Sequence, residues 1–253
     1  MKNKSKLFLY FIITFLIILT YKENVMGIVI QKSIRPIKAL NTSIKNVNQE
    51  KKIIYLTFDD GPSIITDKVL DILKENNVKA TFFIIGNQIK GFENVIKRIH
   101  DDGHSIGLHT YTHKFKRIYS SRDTFIKEML DCRNEINKLT GISSNIIRFP
   151  GGSRNRLTDT YLTKLHSYNF KIYDWNMVTS DGINSNTSPN RLYRDATEGN
   201  EKLFPIILLL HCDYMHKNSC KALPNIIKYY KEKGYEFKII SENTTELYFP
   251  IKK

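Results

Sequence analysis

Cysteine is scarce in this chain, and its scarcity excludes one way of stabilising a fold. The 253 residues include only three cysteines, Cys132, Cys212 and Cys220, with no CxxC spacing. An odd count of this kind provides no disulfide framework. Cys212 directly follows a histidine, but successive side chains on a strand point to opposite faces. We therefore do not expect Cys212 to serve as a nucleophilic thiol.

Long apolar runs are also lacking, and the one clear run lies near the N-terminus. It extends over Leu7–Ile18, whereas a transmembrane helix needs about 20 apolar residues. Three lysines precede it, as in the basic region and short apolar region of a secretory signal. No cysteine follows the run, which argues against a lipoprotein anchor. We interpret residues 1–22 as a signal peptide or an uncleaved signal anchor, so that the membrane is contacted only there.

Acidic residues are outnumbered, with 25 Asp and Glu against 39 Lys and Arg, and the formal net charge is +14. Residues 1–50 hold eight Lys and Arg and two Glu, a net of +6, which leaves +8 on the remainder. A basic body can bind nucleic acid, an acidic membrane surface or an anionic wall polymer. Export argues against nucleic acid. A generically basic, soluble surface stays an equal alternative to an anionic wall polymer.

The chain divides into a spacer and one folded domain. Residues 23–50 are rich in Asn, Lys and Ser without a clear period and are interpreted as a linker. A domain over residues 51–245 follows, and residues 246–253 are interpreted as a tail. A chain of this length can bury one sizeable core.

Two patterns alternate in the domain. Short apolar runs predict buried strands at Ile53–Phe58, Thr81–Ile85, Ser105–Leu108, Ile146–Phe149, Lys171–Trp175, Ile206–Leu210 and Tyr235–Ile240. Amphipathic stretches predict helices at Thr66–Asn76, Phe92–His100, Arg122–Leu139, Thr158–Ser167 and Leu223–Lys233. This alternation favours an α/β fold with a parallel sheet. Seven repeats are enough to close a barrel, and an open doubly wound sheet stays an alternative.

Charged and polar side chains follow the predicted strands at their carboxyl ends. They are Asp59, Asp60, His109, Arg148, Asp181 and His211. In α/β barrels the active site is built at that rim. Structural polar residues scattered through a sequence would not be expected to share one rim, so we predict a single site there.

Two of these motifs carry metal chemistry. Asp59 and Asp60 are adjacent carboxylates, which repel each other unless a cation or a proton separates their roles. The alternative is an Asp-Gly-Pro turn that caps a loop. His109 and His113 stand at i and i+4, which in a helical turn places both rings on one face. Two histidines and one carboxylate form a known ligand set for Zn²⁺ or another divalent metal, with positions left open for water.

Five motifs occur in order: TFDDGP at 57–62, HTYTH at 109–113, RFPGG at 148–152, Asp181, and LLH at 209–211. Together they resemble the motifs of the polysaccharide deacetylases of carbohydrate esterase family 4, the NodB homology domain. The resemblance covers roughly residues 51–245. It implies an α/β fold that is a distorted (β/α)7 barrel, similar to an incomplete TIM barrel.

The resemblance also implies roles for the residues of the first three motifs. Asp59 matches the catalytic base of the family. Asp60, His109 and His113 match its metal ligands. Arg148 matches the arginine that holds the base carboxylate. The implied cofactor is a divalent metal, zinc first, with cobalt or nickel as alternatives.

The remaining implied roles concern the acid and the substrate. Asp181 matches the carboxylate that tunes the catalytic His211, the general acid. Leu209 matches the residue that lines the acetyl-methyl pocket. Pro150 and Gly151 are placed at the substrate, and the Gly151 N–H is placed where it helps bind the oxyanion.

This sequence departs from the family pattern in two places. The family usually has a bulky residue at the position of Gly151 and a tryptophan at the position of Gly182. The two glycines predict a wider and less aromatic groove. Trp175 is interpreted as a substrate-groove or core residue, with core favoured. Among the other histidines, His104 is expected to be structural, whereas a surface position is expected for His100, His166 and His216.

The resulting hypothesis is an exported, metal-dependent enzyme that removes N-acetyl groups from a cell-wall polysaccharide. Peptidoglycan N-acetylglucosamine or N-acetylmuramic acid is the preferred substrate, and acetylxylan or a chitin oligosaccharide is the enzymatic alternative. A non-catalytic wall-binding protein on the same fold is the alternative from another class. Such a protein usually lacks some ligands, and here all are present. The expected location is secreted, wall-associated or anchored at the outer face of the membrane.

Overall fold

The computed structural model describes residues 51–200 and 203–251. The predicted signal segment, residues 1–22, and the predicted linker, residues 23–50, lie outside the described residues and stay predictions. Within the described ranges, no helix has both the length and the apolar character needed to cross a bilayer. All five motifs fall inside these ranges.

Eight strands form one sheet, and every pairing between them is parallel. They are β1 (Ile53–Gly61), β2 (Thr81–Ile84), β3 (Ser105–Leu108), β4 (Ile146–Ile147), β5 (Lys171–Ile172), β6 (Met177–Val178), β7 (Ile206–His211) and β8 (Glu236–Phe237). The order is β5-β4-β3-β2-β1-β7-β6, and β8 pairs with β1 beside this path. Among the described strands, β5 and β6 stand at opposite ends, so the ladder is open between them. This confirms the predicted α/β class with an incomplete parallel barrel.

Strands β1 and β7 form the centre of the sheet. Both consist mainly of buried apolar residues up to their carboxyl ends, as expected for parallel strands covered on both faces. Their register pairs Ile54 with Ile206 at one end and Asp59 with His211 at the other. The pairing of two apolar strands therefore brings two polar residues of different motifs side by side at the carboxyl rim.

Seven α-helices accompany the described strands. They are α1 (Ile64–Glu75), α2 (Glu93–Asp101), α3 (Phe115–Ile118), α4 (Arg122–Thr140), α5 (Asp159–Ser167), α6 (Pro189–Thr197) and α7 (Lys217–Glu232). Ser63 caps α1 by accepting hydrogen bonds from the N–H groups of Ile65 and Thr66. Gly141 ends α4 in the left-handed conformation, with φ +73°, that favours glycine.

The elements differ from the prediction in several places. Strand β6 and helices α3 and α6 were not predicted, although for α6 Ser188 as N-cap and Pro189 in the first turn are an ordinary start signal. Helix α7 begins at Lys217, six residues before the predicted start. The structure accommodates Pro224 inside α7, although a proline within a helix cannot donate a backbone hydrogen bond.

The segment interpreted as a tail contacts the domain. Leu247 forms a β-bridge with Tyr173, and its carbonyl accepts a hydrogen bond of 2.6 Å from the Asp174 N–H. The Phe249 N–H donates to Asp174 Oδ2 at 2.8 Å. Residues 246–251 thus lie beside the strands that carry the polar rim.

Candidate active site

Asp60, His109 and His113 converge at the carboxyl ends of β1 and β3. Asp60 Oδ1 lies 3.4 Å from His109 Nε2 and 3.3 Å from His113 Nε2. This oxygen is buried, and within the described residues it accepts no hydrogen bond. A buried carboxylate oxygen without a donor costs free energy unless a cation supplies the missing partner. One carboxylate and two imidazoles at these distances fit a single divalent metal ion.

The His109 ring is already in the form that a metal ligand needs. Its Nδ1 lies 2.9 Å from the carbonyl oxygen of Arg148. Because a carbonyl only accepts, Nδ1 carries the hydrogen and Nε2 turns its lone pair towards Asp60. Burial lowers the pKa of His109 to about 3, so the ring is neutral. Metal binding requires this neutral state.

The loop between the two histidines is not the helical turn that the sequence predicted. Thr110 and His113 both have left-handed φ values, +68° and +55°, and these interrupt any helical turn. Asp60 is left-handed as well, with φ +66°. Each such residue costs about 1–2 kcal/mol when it carries a side chain. The two rings still meet, with centroids 5.0 Å apart, because the loop folds back on itself rather than because of helical spacing.

Arg148 is fully buried and holds the carboxylate of Asp59, the first aspartate of the TFDDGP motif. Its Nη1 donates to Asp59 Oδ1 at 2.9 Å and to Thr57 Oγ1 at 2.7 Å. Its Nε and Nη2 donate to the carbonyls of Tyr173 and Asp174 at 2.7 and 3.0 Å. Four hydrogen bonds fix the guanidinium, so the orientation of the Asp59 carboxylate is fixed with it.

Asp59 keeps its other oxygen on the metal side. Asp59 Oδ2 lies 3.8 Å from His109 Nε2. Burial raises the pKa of the Asp59 carboxyl, and the charge of Arg148 opposes that rise. Behind it, the Cys212 thiol is fully buried, and burial raises its pKa above the usual range. A buried protonated thiol is a poor nucleophile, which agrees with the expectation from the sequence.

His211 and Asp181 form a second polar group on the opposite side of Asp59. His211 Nδ1 lies 2.9 Å from Asp181 Oδ1, while the His211 N–H and the Ser219 hydroxyl donate to Asp181 Oδ2 at 2.9 and 2.8 Å. Although burial alone would lower it, the hydrogen bond and charge of Asp181 raise the pKa of His211 to about 9. Burial alone would raise the pKa of Asp181, but the hydrogen bond and charge of His211 outweigh it and lower that pKa. At neutral pH the pair is an imidazolium and a carboxylate.

His216 was predicted at the surface, and that prediction is wrong. The residue is only 5% exposed, and its ring stacks on that of His211 with centroids 5.1 Å apart. Its Nδ1 lies 2.7 Å from Asp213 Oδ1 and its Nε2 lies 3.2 Å from the Asp181 carbonyl. These two acceptors satisfy the ring in the interior, which is why it can be buried.

Comparison with known proteins identifies the family. A family model described as polysaccharide deacetylase matches residues 46–172, half of the chain. A peptidoglycan-N-acetylglucosamine deacetylase of Bacillus cereus is 35% identical, over 80% of this chain and 73% of the relative. The chain belongs to the polysaccharide deacetylase family. A peptidoglycan-N-acetylmuramic acid deacetylase of Bacillus subtilis is 31% identical, over 77% of this chain and 72% of the relative.

The solved structures agree with the family assignment. The crystal structure of a polysaccharide deacetylase from Bacillus cereus matches with a TM-score of 0.71 and 33% identity, and covers 79% of this chain and 96% of that one. The curled parallel sheet is therefore the deacetylase fold, as the sequence resemblance implied. The residues placed above occupy its carboxyl rim.

The two glycines that depart from the deacetylase pattern have different surroundings. A Cβ added at Gly182 would lie 2.7 Å from His211 Cε1, so the histidine ring occupies the space that a side chain would need. A Cβ at Gly151 would meet the ring of Phe115 at 3.4 Å, an ordinary contact, but φ of +71° disfavours a side chain there. A cleft of about 340 Å³ opens beside Gly182 and is lined by Asp60, Ile183 and other rim residues.

The other residues assigned to the substrate lie around the same rim. Leu209 is buried in β7, two residues before His211. The Pro150 carbonyl accepts a hydrogen bond of 2.6 Å from the Tyr119 hydroxyl. Trp175 is partly buried, and its ring contacts Phe249 edge-on at 5.1 Å. It also lies over the Arg148 guanidinium at 5.8 Å, so Trp175 is neither fully core nor fully groove.

Two buried carboxylates near the site were missed by the sequence analysis. Asp174 accepts hydrogen bonds from the N–H and the hydroxyl of Ser153, which follows the RFPGG motif. Glu128 accepts hydrogen bonds from the loop between His109 and His113. A signal existed for Glu128, because its helical position places an acid on the buried face of α4. The buried neighbours on that face are Phe125, Met129, Cys132 and Ile136.

Proposed function

We propose that the protein hydrolyses N-acetyl groups on peptidoglycan sugars, N-acetylglucosamine or N-acetylmuramic acid, with a divalent metal, most favourably zinc. The supporting observation is the arrangement around Asp60 Oδ1. This unpaired buried oxygen faces two imidazole nitrogens, with the arginine-bound Asp59 on one side and the aspartate-bound His211 on the other. A protein that only binds the glycan does not need the Arg148–Asp59 and Asp181–His211 pairs, so their presence beside the metal ligands favours hydrolysis.

Amide hydrolysis needs an activated water, a group that binds the oxyanion and a proton for the leaving amine. A bound metal ion lowers the pKa of a water from 15.7 to about 7 and polarises a carbonyl. Asp60, His109 and His113 would hold that ion. Asp59 is fixed by Arg148 at Oδ1, so its Oδ2 is free to receive a proton from an attacking water.

The opposite side of the site supplies the proton. His211 is protonated at neutral pH because Asp181 accepts its Nδ1–H. Its Nε2–H protonates the departing nitrogen, which leaves as the free amine of a glucosamine-type sugar. The Gly151 N–H contributes to the binding of the oxyanion, and the acetyl methyl group packs on Leu209.

The substrate class rests on the relatives together with the expected location. The related proteins from both Bacillus species are peptidoglycan deacetylases. Residues 1–22 act as an export signal or anchor and residues 23–50 as a spacer to the domain at 51–245. The enzyme therefore works outside the membrane. Trp175 and Pro150 contact the glycan, and the basic body is compatible with anionic wall polymers.

Acetate release tests this proposal directly. Purified protein is incubated with peptidoglycan and with chito-oligosaccharides, with and without added Zn²⁺, Co²⁺ or Ni²⁺. We expect metal-dependent acetate from at least one of these substrates and a rate lower by about 10²–10⁴-fold from the Asp59→Asn variant. Asp131→Asn is the matched control, because Asp131 is an aspartate in a surface ion pair with Lys127.

The outcomes separate the alternatives. Acetate from acetylxylan but not from the amino-sugar polymers would replace N-deacetylation with ester hydrolysis. Binding to peptidoglycan without acetate from any substrate, at saturating metal, would indicate a wall-binding protein and overturn the proposal.

A further inference from the structure

Glu128 is a buried acid that contacts the histidine loop but none of the reacting groups. It lies on α4 and is 1% exposed. Its Oε2 accepts hydrogen bonds from the N–H of Tyr111 at 3.1 Å and from the N–H of Thr112 at 2.7 Å. The Thr112 hydroxyl donates to both carboxylate oxygens at 3.1 and 3.0 Å. The carboxylate thus binds the middle of the segment between the two histidines.

The remaining contact of Glu128 completes a shell of donors. Arg117 Nε donates to Oε1 at 2.6 Å, and the Arg117 side chain is 58% exposed, so it covers the outer side of the carboxylate. Each of these partners of Glu128 is a hydrogen-bond donor. An ionised carboxylate, which only accepts, is matched to this shell. A glutamine of the same shape would direct its NH₂ group at one of these donors.

The loop that Glu128 holds is one that local preference would not choose. Thr110 and His113 both adopt left-handed φ values, and Thr110 is β-branched. Inside the loop, the His113 N–H donates to Thr110 Oγ1 at 3.1 Å. The two N–H groups between these residues go to Glu128. The shape that turns both imidazoles towards Asp60 is therefore held from outside the site.

We propose that Glu128 is the positioning residue of the metal site and that it sets the metal affinity by holding the 109–113 loop. It acts through the backbone of Tyr111 and Thr112 and, within the described ranges, makes no hydrogen bond or ion pair with Asp60, His109 or His113. Groups that orient metal ligands typically change metal affinity 10–100-fold when they are replaced. This inference rests on the proposed metal site, but it adds a residue that neither the motifs nor the ligand distances single out.

The zinc dissociation constant tests the inference. It is measured on the full-length protein by competition with a chromophoric chelator and without any substrate. We expect Glu128→Gln to raise the constant about 10–100-fold. The matched control is Glu135→Gln, a glutamate on the same helix that pairs with Lys138 at 2.7 Å on the surface. The zinc dissociation constant of Glu135→Gln should stay within about twofold of that of the unsubstituted protein.

Two further measurements distinguish a role of Glu128 in metal affinity from a role in protein stability alone. We expect the metal-induced rise in Tm to shrink in Glu128→Gln, and acetate release to recover as zinc is raised to saturation. A lower Tm of the metal-free protein with an unchanged zinc constant would overturn the inference. Should Glu128→Gln not fold, Thr112→Val removes one donor to the carboxylate and keeps the loop backbone. It should weaken zinc binding several-fold, and an unchanged constant would overturn the inference as well.

Failure of this inference is distinguishable from failure of the proposed function. The zinc constant requires no turnover, so a protein that binds zinc but releases no acetate still permits the comparison of Glu128→Gln with Glu135→Gln. Normal acetate release together with equal zinc constants would overturn the role of Glu128 alone.

Discussion

Two clusters in this structure have the same composition and different hydrogen bonding. Asp60, His109 and His113 form one, and Asp181, His211 and His216 form the other. Each offers one carboxylate and two imidazoles with ligand atoms within 4.8 Å of one another. In the first, Asp60 Oδ1 is buried without a hydrogen bond among the described residues. In the second, Asp181 accepts three hydrogen bonds through its carboxylate.

The difference shows which occupant each cluster fits. In the first cluster, Asp60 Oδ1 lacks a donor in the described part of the chain and the His109 lone pair points at this oxygen, so the first cluster fits a cation. In the second cluster, the Asp181 carboxylate already accepts hydrogen bonds from donors, and both nitrogens of His216 face acceptors. The second cluster therefore fits proton transfer rather than metal binding. Counting ligand-type residues would assign a metal to both clusters, whereas the hydrogen bonds separate them.

Removal of the metal should have the largest effect. A chelator that strips the ion removes both the activation of water and the stabilisation of the oxyanion. We expect acetate release to fall by more than the about 10³-fold that one electrostatic donor supplies. Zinc added back should restore the rate. If the stripped protein keeps its full rate, the first cluster does not hold a catalytic ion and the comparison fails.

Replacement of Asp59 should separate proton transfer from metal binding. In Asp59→Asn the arginine-bound carboxylate becomes an amide that cannot take a proton. We expect kcat to fall about 10²–10⁴-fold, the usual contribution of a general base. The zinc dissociation constant, measured in parallel, should change only a few-fold. A large loss of zinc affinity with little loss of kcat at saturating zinc would make Asp59 a ligand rather than the base.

Replacement of Asp181 should move the alkaline limit of activity. His211 is protonated below its pKa of about 9 and loses its proton above it, so the rate should fall as pH rises through 9. In Asp181→Asn the supporting charge is gone, and the limit should move towards the ordinary value of about 6.5. At pH 8 this corresponds to a loss of about 30-fold from the change in protonation. A pH profile of kcat that keeps its alkaline limit would contradict the assignment.

The same pairing carries a stability signature of known sign. A histidine whose pKa is raised on folding stabilises the native state below its unfolded pKa of about 6.5, and this contribution disappears as pH rises through about 9. The excess stability of the unsubstituted protein over Asp181→Asn should therefore shrink on the alkaline side. Urea unfolding at pH 6 and pH 9.5 measures it.

Replacement of His216 should give the smallest effect and sharpen the contrast. Although burial opposes it, the hydrogen bond to Asp213 raises the pKa of His216, so its contribution to stability is present at pH 6 and is lost at higher pH. We expect His216→Gln to lower the free energy of unfolding at pH 6 by about 1–3 kcal/mol. His100→Gln, on α2, is the control. Zinc content should be unchanged, and a loss of zinc would show that the second cluster holds metal.

The sequence predicted the rim because strand patterns alone place it. Apolar runs define β1 and β7, and each run ends in residues that cannot be buried without partners. Once the strands are parallel, Asp59 and His211 must share an edge, and the observed register pairs them. Position along a strand is therefore a property that one sequence reveals.

The supporting residues were not predictable in the same way. Glu128 binds backbone N–H groups of a loop whose left-handed φ values, at Thr110 and His113, have no clear sequence signal. Asp174 binds the N–H groups of Ser153 and Phe249, which lie 21 and 75 residues away in the chain. His216 was placed at the surface because the sequence shows no partner pattern for it, and one of its two partners, the Asp181 carbonyl, is 35 residues away in the chain. Only an acid on the apolar face of α4 offered a hint. Contacts that depend on the conformation of a loop can be identified only in the folded structure.

An anomalous difference map at the zinc absorption edge, from crystals of the protein grown with zinc, tests the central claim most directly. The account predicts one peak at about 2.0–2.2 Å from Asp60 Oδ1, His109 Nε2 and His113 Nε2. It predicts none among Asp181, His211 and His216. A peak in the second cluster, or no peak in the first, would contradict it.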